Sequence, residues 1–322
     1  MHRSIKALFG VALALMGAAA VAQGYPSRPV RIVVGFAPGG AADTVARAMS
    51  DAMGKALGQT VVIDNKPGAG SSLAAEHVAK AAPDGYTVLI ASPSSISVNP
   101  ALNSKLGYKF SDLQPVVKVT SSPLVIAVNP ATGIQSVKDL NEAAKKAPGK
   151  INYASSGIGS APHLGAALFS QLAGVQLFHV PFKGGAPAVQ SVVSGDTQVT
   201  FGTPPSVLEL IKGGRLRGLG VSSAQRSPLV PDLPGMVEAG LPNYSMDFWY
   251  GLFVPAGTPP DVVRKLFEAG TAAMRDPAVK QALMRDGTDV DLSPSQEHFA
   301  QFLAKDNVFW EKLVKDAGVT KD

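Results

Sequence analysis

Short apolar runs recur along this chain at helix-length intervals. Val30 to Phe36 comes first, then Val61 to Ile63 and Thr87 to Ala91, each long enough for one strand and too short for a helix. The stretch from about 42 to 57 between the first two carries Val45, Met49, Ala52 and Ala56 on one helical face. A second helix, about 72 to 82, stops at the turn Pro83-Asp84-Gly85. Strands that are apolar throughout, separated by helices, predict a mostly parallel sheet covered on both faces, an α/β architecture.

The rhythm begins again near Leu124 to Val128, and Ser136 with Asp139 three residues on predicts a capped helix start. Further strands are expected at 151–154, 177–180, 199–202 and 216–221, with helices at 161–172 and from Pro187 to the stop at Gly195. Two α/β units of about 100 to 120 residues account for this. Pro228, Pro231, Pro234 and Pro242 mark a long connection from 224 to 243, after which Phe248 to Val254 is apolar again. From Thr258 onward nearly all is helical, with proline-bearing starts at 258–261 and 293–296 and a last helix that aligns Phe299, Phe302, Leu303, Phe309 or Trp310, and Leu313. A helical block without a sheet of its own must cover an existing one. Residues 25–122 with 224–322 are therefore expected to form one lobe and 123–223 the other, the chain crossing twice.

His2, Arg3 and Lys6, the uncharged run Ala7 to Ala20 and the Ala20-Val21-Ala22 pattern read as an export signal, residues 1–22, cleaved near Ala22. An uncharged run of this length falls short of the roughly 20 residues that span a bilayer. With no cysteine in the chain, thiol catalysis, disulfides and a cysteine-linked lipid anchor are excluded. The 29 basic residues, less Arg3 and Lys6, leave 27 against 24 acidic ones, without a basic run, so nucleic acid is not expected as a partner.

Catalytic equipment is sparse. His77, His163, His179 and His298 lack metal-ligand spacing, and no nucleophile elbow, Walker loop or paired-carboxylate motif occurs. His77 and His298 read as surface residues, His179 as a packing residue. What recurs is a glycine or serine cluster at a strand-to-helix turn: Pro38-Gly39-Gly40, Ser155 to Ser160, and Lys183-Gly184-Gly185. Such turns expose backbone N–H groups at a helix start, where four amides lack intrahelical partners and the macrodipole adds roughly half a positive charge. In an open α/β sheet these turns lie beyond the carboxyl ends of the strands, where ligands bind. Taken singly each is an ordinary turn, and Asp43 an ordinary first-turn acid. Three together, without an acid-base pair beside them, point to binding of a carboxylate. His163 could face that anion or pack, and Lys183 is the cation beside the third turn.

These motifs, in order, resemble a known family. Phe36-Ala37-Pro38-Gly39-Gly40 with Asp43, Asp64 to Gly70, Pro83 to Thr87, Asn99-Pro100-Ala101-Leu102, Tyr153 to Gly157 with His163-Leu164, Val180 to Gly184, Trp249 to Leu252 and Pro255 to Pro259 are similar to the Bug-type solute receptors, the periplasmic substrate-binding subunits of tripartite tricarboxylate transporters. Phe182 stands where that family usually has Tyr. The resemblance implies a two-lobed periplasmic-binding-protein fold of the Venus-flytrap, type II-like kind, with a ligand cleft between the lobes. It implies ligand contacts from Phe36, Pro38, Gly39, Gly40 and Asp43 on one lobe and Ser156, Gly157, Ser160, His163 and Thr203 on the other. It also implies a monomer that takes a small mono-, di- or tricarboxylate and hands it to integral membrane transporter subunits, with no cofactor, metal or catalytic residue. Two alternatives share the cleft: a periplasmic enzyme acting on a carboxylate, and a ligand-sensing co-receptor for a membrane sensor kinase.

Overall fold

A computed structural model describes residues 24–103 and 105–316; the export signal expected at residues 1–22 lies outside the described residues. The chain forms two sheets. The first has the order β11-β4-β10-β3-β1-β2 and uses β1 (Val30–Val34), β2 (Val61–Asn65), β3 (Thr87–Ala91), β4 (Leu113–Pro123), β10 (Asp247–Pro255) and β11 (Asp289–Val290). The second has the order β7-β6-β8-β5-β9, from β5 (Val125–Val128), β6 (Asn152–Ser155), β7 (Phe178–Pro181), β8 (Val199–Gly202) and β9 (Arg217–Val221).

The expected parallel pairs are present, with β1 between β2 and β3 and β6 between β7 and β8. Both sheets are nevertheless mixed rather than mostly parallel. β10 runs antiparallel to β3 and β4, and β5 antiparallel to β8 and β9. The reason is the crossing: β4 leads straight from the first sheet into β5 of the second, and β10 brings the chain back. Strands that arrive from the other sheet enter against the local direction.

The helices are α1 (Ala41–Leu57), α2 (Ser72–Ala79), α3 (Asn99–Leu102), α4 (Val137–Lys146), α5 (Ala161–Ala173), α6 (Gly185–Ser194), α7 (Pro204–Lys212), α8 (Pro260–Arg275), α9 (Pro277–Arg285) and α10 (Gln296–Asp316). On α1 the buried face runs through Val45, Ala46, Met49 and Met53, while Ala56 is exposed. Full burial of each methionine contributes about 1.5–3 kcal/mol. Ser136 Oγ caps α4 through the Asp139 N–H at 3.1 Å. The terminal helices cover the first sheet: α8 lies on α1 and β4, and α10 buries Phe299, Leu303, Trp310 and Leu313, leaving Phe309 outside. The nearly all-helical expectation for this block does not include β11, which pairs Asp289 and Val290 with Ser121 and Thr120 at the sheet edge.

Candidate functional site

The turn after β1 is fixed by side chains behind it. Gly35 has no room for a side chain, since a Cβ there would meet Ser71. Asp43, buried in the first turn of α1, accepts from the Gly39 N–H at 3.0 Å, from Arg47 Nε at 2.8 Å and from Asn65 Nδ2 at 2.9 Å. Asn65 Nδ2 also reaches the Phe36 carbonyl at 3.1 Å. Burial works to raise the pKa of Asp43, but the hydrogen bonds from Arg47, Gly39 and Asn65 and the Arg47 charge outweigh it and hold the carboxyl below its usual range. Its oxygens are therefore occupied in shaping the turn.

The turn after β6 is built on a different support. Ser155 Oγ accepts from the Gly157 N–H at 3.1 Å and lies 2.6 Å from His179 Nε2. The Gly159 N–H donates to His163 Nδ1 at 3.0 Å, so that nitrogen carries no proton. The two imidazoles stack with centroids 4.0 Å apart, and Tyr153 stacks on His179 at 4.8 Å. Burial, with His179 as a further repulsion, depresses the pKa of His163 to about 3, and burial depresses that of His179 to about 4. Both rings are neutral props behind the turn.

Four helix starts converge between the sheets. An inner chamber of about 440 Å³, open solvent at its mouth included, is lined by Phe36, Gly40, Ala41 and Ala42 at the start of α1, Ala161 and Pro162 of α5, Gly185 of α6, and Thr203 before α7. None of these four helices has a side-chain cap hydrogen bond, whereas α4 and α9 are capped by Ser136 and Asp276. Ser160 Oγ, 1% exposed at the start of α5, has no hydrogen-bond partner. The remaining walls include Ser156, Thr200, Ser206, Phe248 and Tyr250, with no acidic or basic side chain among them. Backbone amides and helix dipoles thus make the chamber positive without a cation. A wider outer chamber shares Phe36 and Ser156 and adds residues 68–70, Asn99, Gly157, Ile158 and residues 181–183, Lys183 being its one charged wall residue.

The lobes touch along backbone. The Ala37 N–H donates to the Lys183 carbonyl at 3.3 Å. A Cβ on Gly184 would lie 3.0 Å from Ala37, and one on Gly40 would lie 3.7 Å from the Gly185 nitrogen.

Of the residues expected at the site, Phe36, Gly40, Ser156 and Thr203 line the inner chamber and Gly157 the outer one. Pro38 and Gly39 sit exposed on the outside of the first turn, and Asp43, Ser160 and His163 stand behind the two turns. Sequence reasoning missed Phe248 and Tyr250. They alternate along β10 and face the cleft while Trp249 and Phe253 face the other way, but all four are buried, so no polar-apolar alternation betrays the direction. It also missed the start of α7 as a fourth helix N-terminus at the chamber, where Thr203 followed by two prolines is the available signal. Pro204 and Pro205 carry no N–H, so this start contributes its dipole and the Thr203 side chain rather than a row of amides.

Comparison with known proteins gives the family and the fold. A family model described as tripartite tricarboxylate transporter family receptor matches residues 45–319. The periplasmic binding protein BugD is 34% identical, with a TM-score of 0.87 over 92% of this chain and 100% of that one. An R. palustris protein solved with adipate is 32% identical, with a TM-score of 0.88 over 92% and 99%. MatC from Rhodopseudomonas palustris with bound malate is 32% identical, with a TM-score of 0.85 over 90% and 100%. The chain belongs to the tripartite tricarboxylate transporter receptors, the Bug-type solute-binding family, and has their two-lobed periplasmic-binding-protein fold.

Proposed function

We propose that this protein is an exported receptor that closes its lobes, residues 25–122 with 224–322 and residues 123–223, around a small carboxylate. It then delivers the carboxylate, as a monomer, to the membrane subunits of a tripartite tricarboxylate transporter. The observation that carries this reading is the meeting of four uncapped helix starts in a chamber without a charged wall residue. Such a chamber holds an anion through preorganised amides and leaves it chemically unchanged. Phe36, Gly40, Ser156 and Thr203 are the assigned contacts, Gly157 borders the ligand's outer end, and Asp43, Ser160 and His163 shape the turns. Structures of relatives with adipate and malate support a carboxylate as the anion. A catalytic role is disfavoured because the titratable wall residues of the two chambers are Tyr250 and Lys183, while both nearby histidines are buried behind the turn and neutral.

The test is a thermal-shift screen of mono-, di- and tricarboxylates against their amides and inorganic phosphate. A ligand at a hundred times its Kd adds about 2.7 kcal/mol, hence roughly 5–10 °C. Recovery of the acid unchanged after incubation is expected. A shift with phosphate or the amides and none with any acid, or conversion of the acid, refutes the reading.

A further inference from the structure

Two motifs of the first lobe, Gly68-Ala69-Gly70 and Asn99, lie outside the amide chamber and meet at the seam between the lobes. Residues 68 to 71 form a turn with four consecutive positive φ values: 144° at Gly68, 49° at Ala69, 60° at Gly70 and 75° at Ser71. Ala69 and Ser71 are the non-glycine residues with positive φ among the described residues. A non-glycine side chain is strained there, and such strain persists only where the surroundings hold it. The holding group is the Asn99 amide, 6% exposed, which donates from Nδ2 to the Ala69 carbonyl at 3.2 Å and the Gly70 carbonyl at 2.8 Å. Asn99 itself is placed by the π-helical turn Ser94–Val98 that follows β3.

Across the seam lies the ligand turn of the second lobe. A Cβ on Gly70 would come within 2.4 Å of the Ile158 carbonyl, and one on Gly157 would sit 3.6 Å from the Gly70 nitrogen. A Cβ on Gly159 would lie 2.5 Å from Asn99 Oδ1. Backbone therefore packs on backbone at this point, and Gly70, Asn99, Gly157 and Ile158 together wall the outer chamber.

We infer that Asn99 is a positioning residue for ligand retention: it clamps the left-handed turn 68–71 of the first lobe against the 157–159 turn of the second and so closes the outer chamber over the ligand. The inference rests on the receptor reading above. Asn99 acts through the turn and through Gly159, whose N–H is already committed to His163. Loss of its two donors releases the turn toward relaxed φ values and loosens the facing backbone of the other lobe.

Hydrogen exchange on the full chain tests this, without ligand and with saturating adipate or malate as probes. Asn99→Ala, and Asn99→Asp as a variant of the same size lacking the donors, are expected to speed exchange of the 157–160 amides about tenfold. The amides of α4, in the same lobe and away from the seam, keep their wild-type rates. Dissociation of a bound acid quickens by a similar factor with its association rate unchanged. Unchanged 157–160 rates in both variants under every condition overturn the inference, as does an equal rise in α4, which would mean general loosening. If neither acid raises the melting temperature of the wild-type protein, the receptor reading fails for those acids, and the exchange comparison still decides the seam.

Discussion

Acidification should unfold this protein through the two histidines behind the ligand turn. His163 Nδ1 accepts the Gly159 N–H at 3.0 Å, and a proton on that nitrogen would set donor against donor. The folded pKa of about 3 lies below the ordinary value of 6.5 for the unfolded chain. Between these values the unfolded state binds the proton and the folded state does not, so stability is complete above about pH 6.5 and falls as pH drops toward 3. At pH 5 the deficit is about 1.5 pH units, or roughly 2 kcal/mol from His163. His179, with its pKa lowered to about 4 by burial, adds a loss of the same sign. His163→Asn retains an acceptor at the Nδ1 position and removes the titration. At roughly 2–4 °C per kcal/mol, the fall in melting temperature from pH 7.5 to pH 5 should be about 4–8 °C smaller in the variant than in the wild type. Scanning calorimetry of both proteins at both pH values measures this double difference, in which all other titrating groups cancel. Equal falls would show that His163 is not held neutral by the turn. Between pH 6.5 and 8 both rings stay neutral, so ligand affinity should be flat.

Gly184, with φ 154°, faces Ala37 of the other lobe. Gly184→Val should block closure while each lobe stays folded, read as loss of ligand-induced compaction in small-angle scattering, and normal compaction would exclude this seam as a closure contact. Asp306 lies under Trp249, whose Nε1 donates to Oδ2 at 2.7 Å, and burial raises its pKa from 3.8 to about 6 against that hydrogen bond and the Lys118 charge. Here the folded state holds the proton longer, so stability declines between pH 4 and 6, by about 3 kcal/mol in total. Asp306→Asn keeps an acceptor for Trp249, and should melt with the wild type at pH 4 and several degrees above it at pH 7.5. A variant that melts lower at pH 7.5 would contradict the assigned cost of ionisation.

The α/β rhythm was readable because β1, β3, β5 and β8 are buried along almost their whole length and are therefore nearly continuous apolar runs. β4 was not readable for the opposite reason. Gln114, Pro115, Lys118, Ser121 and Ser122 are half-buried because an edge strand, β11, and the start of α10 cover them only partly, and the resulting pattern resembles a polar loop. Without β4 the mixed first sheet could not be foreseen, since each of its antiparallel pairs involves β4 or β10. The face of α1 was displaced by one position: Met53 is fully buried, while Ala56, in the last turn of the helix, is exposed.

The site was legible as backbone and illegible as side chains. Glycine at a strand-to-helix turn announces free amides by its position alone, and three of the four helix starts were found in this way. The supports behind the turns announce nothing, because Asp43 looks like any first-turn acid and His163 like any helix residue. What distinguishes them is where the lone pairs go: those of Asp43 to Gly39, Arg47 and Asn65, and that of His163 Nδ1 to Gly159. Each of the two groups is spent on orienting an N–H-bearing turn and neither meets the chamber. A site that binds an anion by preorganised amides needs such groups buried, because an exposed Asp43 carboxylate would repel the ligand and an exposed, protonated His163 could no longer accept from Gly159. Residues with catalytic-looking chemistry, buried behind two glycine turns and out of reach of the ligand, are thus what a receptor of this design requires.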